Sequence, residues 1–440
     1  ARWSRGLGDV YKRQKLPSAT CFKWYGVKRN GVWGADPVCE QIATLFTSSA
    51  SRVTLSCFTF HLSLWYNVLM LIGIDASRAA RARHTGTEAY ALHLIRALVK
   101  TKCDCQFRMY TPTPLPLDLM NGENGAAGEV RVIPLPRLWT HLRLAWEVRR
   151  FPPDVLFVPA HVIPLVCPVP TVVTVHDLGY LYYPQTHRPF DRWYLDWTTR
   201  RHTRLATRII ADSQATRADL TRFYGAELDR IIVVYPGRDE ALRRVDDAAI
   251  IDAVKAHYEI AGGYLLYLGT LQPRKNLVRL VEAFARLQPL AAQPQQLILA
   301  GEKGWLHEDL YARVESLGLS RHVVFAGYVA DEDKAALISG ATALVFPSLY
   351  EGFGLPVLEA MACGVPVLTS NISSLPEVAG DAALLVNPQD TDSIAAGMAR
   401  LIADNDLRRS LVEKGYAQVR RFSWAKAAHQ VLQVLESSVH

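Results

Sequence analysis

From residue 71 onward, short apolar runs alternate with amphipathic stretches. Apolar runs bounded by turn residues read as buried strands. They fall at 71–75, 105–109, 130–134, 155–158, 171–175, 207–211 and 231–234, then at 264–268, 296–300, 322–325, 343–346, 365–369 and 383–386. Between them, apolar positions recur at helical spacing over 87–99, 277–288, 307–317, 333–339 and 392–403. Strands spaced by helices imply βαβ units and mostly parallel sheets, so two such series predict an α/β chain with two doubly wound domains. The divide falls near Arg238–Gly262, a polar helical insert. The expected domains are 70–240 and 263–420, joined by 241–262 and followed by a closing helix in 421–440. Ser423 is a plausible N-cap for that helix, and Trp424, Val431, Leu432 and Leu435 form a stripe that should dock against a domain.

Residues 1–69 fit neither series. The stretch mixes short apolar patches at Leu45–Phe46 and Leu55–Leu64 with Ser, Thr and Trp, and it has no steady period. The first Met is Met70, directly before the first strand. These residues are expected to lie outside the functional fold, as translated upstream sequence or an artefact of assembly. A membrane-contacting extension is the rival reading.

Length agrees with two domains, since 440 residues exceed what one hydrophobic core organises. Charge changes the picture only once it is divided. Of the net +7, residues 1–70 supply +6, from nine Lys/Arg against three Asp/Glu. Residues 71–240 carry 22 Lys/Arg against 17 Asp/Glu, or +5, and the last 200 carry –4. A nucleic-acid partner is therefore not indicated. In the first domain the basic residues gather in His141–Arg150 and in Arg188–Arg208, where Arg192, Arg200, Arg201 and Arg204 accompany Trp193, Tyr194 and Trp197. Two readings stay open there: a solvated helix face over core aromatics, or a reversible contact with an anionic membrane. No run reaches the roughly 18–20 apolar residues of a membrane-spanning helix. Seven cysteines form neither a paired framework nor a zinc pattern, and Cys103 and Cys105 lie too close for structural zinc spacing. Reduced thiols and a cytoplasmic location, peripheral at the inner face of the membrane if the basic helix meets lipid, are expected.

The densest chemistry is Ser348–Ala362. Glu351 and Glu359 bracket the loop Gly352-Phe353-Gly354-Leu355, and Glu359 sits inside an apolar segment. A buried carboxylate is costly without a polar partner, and a ligand rich in hydroxyls supplies one. A helix-capping carboxylate beside a core-edge glutamate is the plainer alternative. In Gly269-Thr270-Leu-Gln-Pro-Arg274-Lys275-Asn276, two cations follow a strand end and precede a helix. Cations oppose the helix dipole there, so an anion should be near, and a planar fork beside a compact charge suits a diphosphate. Gly86 and Thr87 form a similar loop before a helix, with Gly86 allowing close backbone approach and Thr87 able to cap. His176-Asp177 closes the strand 171–175, where His176 can meet a sugar hydroxyl and Asp177 can orient it. The chain lacks GxGxxG after its first strand and the Gly-rich Lys-Ser/Thr loop, which counts against a dehydrogenase or kinase.

These motifs carry a resemblance. Glu351-Gly-Phe-Gly-Leu-Pro-Val-Leu-Glu359-Ala-Met-Ala-Cys-Gly-Val-Pro-Val, Gly269–Leu277 and Leu375-Pro-Glu-Val-Ala-Gly380 together resemble the retaining nucleotide-sugar glycosyltransferases of family 4. The resemblance spans Met70 to about Val434. It implies the GT-B fold, two Rossmann-like domains facing across a cleft, with a C-terminal helix near their junction. By matching motif, it implies that Glu351 meets the donor sugar, Glu359 the ribose, and Arg274 and Lys275 the diphosphate. His176 would line the sugar pocket, and the Gly86 loop would sit near phosphates and acceptor. The catalytic set is thus Glu351, His176, Arg274 and Lys275. Gly86, Thr87, Gly269, Thr270, Gly352, Phe353, Gly354, Leu355 and Glu359 complete the donor site. Thr270 stands where the family often has arginine.

The resemblance implies no metal and no cofactor beyond the nucleoside diphosphate sugar, with a glycan or lipid-linked glycan as acceptor. The variant motif with His176-Asp177-Leu178 looks most like bacterial polysaccharide mannosyltransferases, pointing to GDP-mannose. A UDP- or ADP-sugar glucosyltransferase is the near alternative. A GT-B-shaped nucleotide-sugar epimerase and a non-catalytic nucleotide-sugar-binding scaffold are the distant ones.

Overall fold

The structure, a computed structural model, describes residues 69–81, 86–116, 119, 128–135, 137–160, 162–287, 295–304 and 308–439, together with 28–29 and 32–33. The chain divides into residues 1–66 and 67–440. Within the first, Lys28–Arg29 pairs antiparallel with Val32–Trp33. The expectation for 1–69 otherwise lies outside the described residues.

Residues 67–440 build two parallel sheets. Strands β1 (Met70–Asp75), β2 (Cys105–Thr111), β3 (Glu129–Val132), β4 (Val155–Val158), β5 (Thr171–Val175), β6 (Arg208–Ala211) and β7 (Ile231–Val233) form the first, in the order β3-β2-β1-β4-β5-β6-β7. Strands β8 (Gly263–Leu268), β9 (Gln295–Ala300), β10 (Val323–Gly327), β11 (Ala343–Phe346), β12 (Val367–Ser370) and β13 (Ala383–Val386) form the second, in the order β10-β9-β8-β11-β12-β13. Every neighbouring pair is parallel.

The apolar runs are continuous because helices cover both sheet faces. In β4, Val155 and Phe157 enter one core while Leu156 and Val158 enter the other. Strand order reverses between β1 and β4 in the first sheet and between β8 and β11 in the second. In open α/β sheets ligands bind beyond the strand carboxyl ends at such reversals. The loops after β8 and β11 are the ones that carry Gly269–Asn276 and Ser348–Gly354.

The closing helix Trp424–Glu436 starts where Ser423 Oγ accepts from the Lys426 amide at 3.3 Å. It returns to the first sheet and packs against helix Gly86–Lys100, burying Trp424, Val431, Leu432 and Leu435. Each such side chain stabilises by about 1.5–3 kcal/mol. Two further helices carried only a weak apolar period in sequence. Gln214–Tyr224 starts from the Ser213 side chain, which accepts from Thr216 N, and ends at Gly225, whose φ is 63°. Asn405–Val419 starts from the Asp404 side chain, which accepts from Leu407 N. Among the described residues no helix is long and apolar enough to cross a membrane.

One expectation is corrected. Cys103 and Cys105 are disulfide-bonded, with Cα atoms 5.2 Å apart, so these thiols are not reduced. A spacing too short for structural zinc suits a bond between sulfurs brought together at the start of β2.

His202 provides a test of how the first lobe packs. It lies on helix Pro189–Leu205, 2% exposed, and its Nε2 accepts from the Ile163 amide at 3.4 Å. Burial, then the Arg201 and His141 charges, lower its pKa to about 3. Below pH 6.5 the unfolded chain takes up a proton that the folded imidazole refuses, so stability falls as pH drops. Between about pH 7 and 5 this group alone removes about 2 kcal/mol. His202→Gln should therefore lose less stability over that interval than the parent, as read by chemical denaturation at each pH. Equal losses would show that His202 does not govern this response.

Candidate active site

A cavity of about 560 Å³ lies between the lobes. All thirteen residues assigned from sequence line it: Gly86, Thr87 and His176 from the first lobe, and Gly269, Thr270, Arg274, Lys275, Glu351, Gly352, Phe353, Gly354, Leu355 and Glu359 from the second. Its size is that of an ordinary small-molecule site.

After β8, the segment Pro273–Lys275 makes one tight turn. Asn276 follows with φ 64°, its side-chain amide donating to the carbonyls of Pro347 at 3.0 Å and Pro388 at 2.7 Å. This turn aims both cations at the loop after β11 instead of stacking them on the helix Leu277–Leu287. Lys275 Nζ lies 2.6 Å from Glu351 Oε1. Arg274 Nη1 donates to the Tyr350 carbonyl at 2.6 Å and stands 3.6 Å from Glu351 Oε2, while Nη2 stands 3.6 Å from Asp177 Oδ2. The anion required beside these cations is thus Glu351, with Asp177 assisting. Burial lowers the Lys275 pKa against the pull of Glu351. Burial also opposes the Arg274 charge, but Asp177 and Glu351 raise its pKa on balance.

The Glu351 loop is held from behind. Ser373 Oγ accepts from the Glu351 amide at 3.1 Å, and Ser374 Oγ donates to the carbonyls of Glu351 at 2.9 Å and Phe353 at 2.8 Å. Gly354 has φ 112° and opens helix Leu355–Ala362. On that helix Glu359 accepts from Lys334 Nζ at 2.7 Å, the lysine reaching from helix Asp331–Ser339. Thr270 lines the cavity with no charge to offer, so Arg274, Lys275 and Lys334 are the cations among the lining residues.

His176 is held differently from the sequence expectation. Its Nδ1 lies 2.6 Å from Asp212 Oδ2 and its Nε2 is 2.9 Å from the Pro159 carbonyl. Asp212, at the end of β6, therefore orients the ring, and Asp177 does not. Asp177 accepts from the Gly179 amide at 3.0 Å and faces Arg274. Burial disfavours the imidazolium, but the charge and hydrogen bond of Asp212 and the Pro159 carbonyl raise the His176 pKa. Burial raises that of Asp212 too, against the charge and hydrogen bond of His176. Tyr90 packs edge-on against the ring at 4.6 Å.

Gly86 has φ 33° and begins its helix, so Thr87 lies in the first turn and not at the cap position. Gly352 lines the cavity and also forms a contact between the lobes. A Cβ there would lie 1.9 Å from the His176 carbonyl oxygen, so the residue is glycine because the lobes touch at that point. Nearby, Tyr350 Oη donates to Asp219 at 2.5 Å, and Tyr182 Oη donates to the same carboxylate at 2.6 Å. Glu377 accepts from the amides of Gln214 at 3.1 Å and Ala215 at 3.3 Å, capping a first-lobe helix from the second lobe.

Asp212, Lys334, Ser373 and Ser374 were not picked out from sequence. Asp212 alone had a signal, being a carboxylate directly after the apolar run 207–211. Gly352→Ala should push the lobes apart, so small-angle scattering should show a larger radius of gyration with unchanged circular dichroism. An unchanged radius would mean that the contact does not hold the lobes closed.

Comparisons with known proteins agree with this geometry. The family described as Glycosyl transferases group 1 matches residues 260–418, and Glycosyltransferase Family 4 matches residues 84–242. O-antigen chain mannosyltransferase B of Escherichia coli is 36% identical over 262 residues, covering 59% of this chain and 68% of that protein. Serotype-specific mannosyltransferase WbdA of the same organism is 35% identical over 231 residues, 52% of this chain but only 28% of its own length. Among solved structures, sucrose-phosphate synthase from Thermosynechococcus elongatus aligns with a TM-score of 0.65 at 23% identity, covering 84% of this chain and 98% of that one. Anabaena HepE in complex with UDP-glucose aligns at 0.66 and 20%, covering 84% and 99%. At these identities the structures speak for the fold alone. Among the described residues no group of three or more His, Cys, Asp or Glu side chains is placed to hold a metal ion. The chain belongs to the GT-B glycosyltransferases of group 1 and family 4, nucleotide-sugar-dependent hexosyltransferases related to bacterial mannosyltransferases.

Proposed function

We propose that the protein transfers mannose from GDP-mannose to a hydroxyl of a glycan or lipid-linked glycan, with retention at the anomeric carbon. The observation that carries the proposal is the cluster of Arg274, Lys275 and Glu351 at the strand reversal of the second sheet, facing His176 across the cleft. The choice of mannose rests on the relatives, both named as mannosyltransferases.

In this reading the donor diphosphate meets Arg274 and Lys275, which offset the charge that develops as the phosphate leaves. Glu351 accepts from sugar hydroxyls and Glu359, fixed by Lys334, from the ribose. The base lies between Gly327–Asp331 and Ser348–Glu359. His176 walls the sugar from the first lobe. With both ring nitrogens engaged it holds its place and does not exchange protons. The carboxylates nearest the reacting centre are already held: Glu351 by Lys275, Asp212 by His176 and Glu88 by Arg78. This favours a front-face route, in which the acceptor oxygen bonds to the anomeric carbon as the carbon–phosphate oxygen bond breaks. The acceptor proton passes to the departing phosphate oxygen.

Glu351→Gln should lower turnover by roughly a hundredfold while the fold is kept, the scale expected when one charge-assisted hydrogen bond is removed from the transition state. Calorimetry should show GDP binding more tightly than UDP, and product analysis should show mannose transferred from GDP-mannose. Activity within a few-fold of the parent would remove the role of Glu351. Equal or tighter UDP binding would overturn the donor, and an epimerised nucleotide sugar formed without acceptor would overturn transfer.

A further inference from the structure

The helical segment Trp139–Arg150 and the helix Pro189–Leu205 turn apolar stripes toward solvent. On the first, Leu142 and Trp146 are four residues apart and 56% and 54% exposed, and Leu138, just before it, is 64% exposed. On the second, Phe190 and Trp193 are 70% and 59% exposed. Helical residues three or four apart share a face, so each set forms one stripe. The two stripes lie side by side. His141 Nε2 is 3.1 Å from Tyr194 Oη, and the His141 ring is 6.4 Å from that of Trp197, on which Trp193 stacks. Arg201, reaching the carbonyls of Pro164 and Leu165, ties in a third segment with exposed Leu165 and Val166. None of these residues lines the cleft. Exposed apolar area this concentrated marks an interaction surface.

The charge around it is mainly positive. Arg143 stacks on Trp146 at 4.9 Å, and Arg149, Arg150, Arg188 and Arg192 are exposed beside the stripes. Of the acids nearby, Glu147 is buried against Arg131 and Arg143, and Asp196 takes Arg200. Asp191 is the exposed acid on the second helix's first turn. Of the arginines singled out from sequence, Arg200 pairs with Asp196 and Arg201 with backbone carbonyls, while Arg192 and Arg204 are exposed.

From this we infer that the face formed by Leu142, Trp146, Phe190 and Trp193, ringed by arginines, seats the protein reversibly on an anionic lipid bilayer. Tryptophans suit the boundary between headgroups and chains, and arginines suit lipid phosphates. A second copy of this chain fits poorly, because a two-fold contact would set the same arginines against one another.

The test is sedimentation of the full chain with vesicles of equal parts phosphatidylglycerol and phosphatidylcholine, at low and moderate salt. Two variants are compared with the parent, one with Phe190→Ser and Trp193→Ser, the other with Arg188→Ser and Arg192→Ser. Circular dichroism and thermal unfolding confirm that each is folded, independently of any transferase assay. The arginine variant should bind roughly thirtyfold more weakly at low salt, and its deficit should shrink as salt screens the attraction. The aromatic variant should lose binding at both salts. Parent and variants sedimenting alike would overturn the inference and assign any binding to the basic residues 1–70. Parent binding that is equal on pure phosphatidylcholine would also overturn it, as would self-association abolished in the aromatic variant with no vesicle binding.

Discussion

Two buried cations set the terms for this cleft. Arg274 and Lys275 are placed by a single tight turn where strand order reverses, and neither is stable there without negative charge close by. Glu351 supplies it, 2.6 Å from Lys275, and the rest of the site is arranged to keep that carboxylate in position. Ser373 and Ser374 hold its backbone, Ser370 Oγ donates to the Ser348 carbonyl at 2.6 Å, and Thr369 Oγ1 donates to that of Phe346 at 2.9 Å. In the proposed function a donor diphosphate would take over part of a counter-charge that the protein already provides through Glu351. In the proposed reaction that carboxylate would then be free to turn toward hydroxyls of the attached sugar.

The second constraint is that the site has two walls in different lobes. Gly352 lets the loop after β11 lie against the His176 carbonyl, and Asp219 joins Tyr350 to Tyr182 across the gap. Glu377 caps the helix Gln214–Tyr224 from the opposite lobe, so a helix-end charge interaction doubles as a contact between lobes. The closing helix Trp424–Glu436 adds covalent continuity, since the chain leaves the second lobe and finishes in the core of the first.

Much of this was legible in the sequence because the signals are local. Parallel strands buried on both faces read as unbroken apolar runs, so β4, β5, β11 and β13 begin and end where the runs do. The second lobe's site residues sit in two contiguous segments, each with its own glycines and charges. What escaped depends on pairings distant in sequence. Asp212 takes the role assigned to Asp177 because β6 lies beside β5, a fact of sheet order that no local pattern reports. Lys334 is one charge in an acidic helical turn until folding brings it to Glu359. Gly352 was placed in the donor site, and its contact between the lobes depends on the His176 carbonyl across the cleft. The disulfide between Cys103 and Cys105 was missed because seven scattered cysteines show no paired framework and a one-residue spacing was compared only with zinc sites.

The most direct test of the central claim is a crystal structure with GDP-mannose bound. The account predicts pyrophosphate oxygens within hydrogen-bond distance of Arg274 and Lys275, a longer Lys275–Glu351 separation than 2.6 Å, and a sugar hydroxyl on Glu351. A nucleotide seated outside this cleft, or one bound within it while Lys275 and Glu351 stay joined and the phosphates touch neither cation, would contradict it.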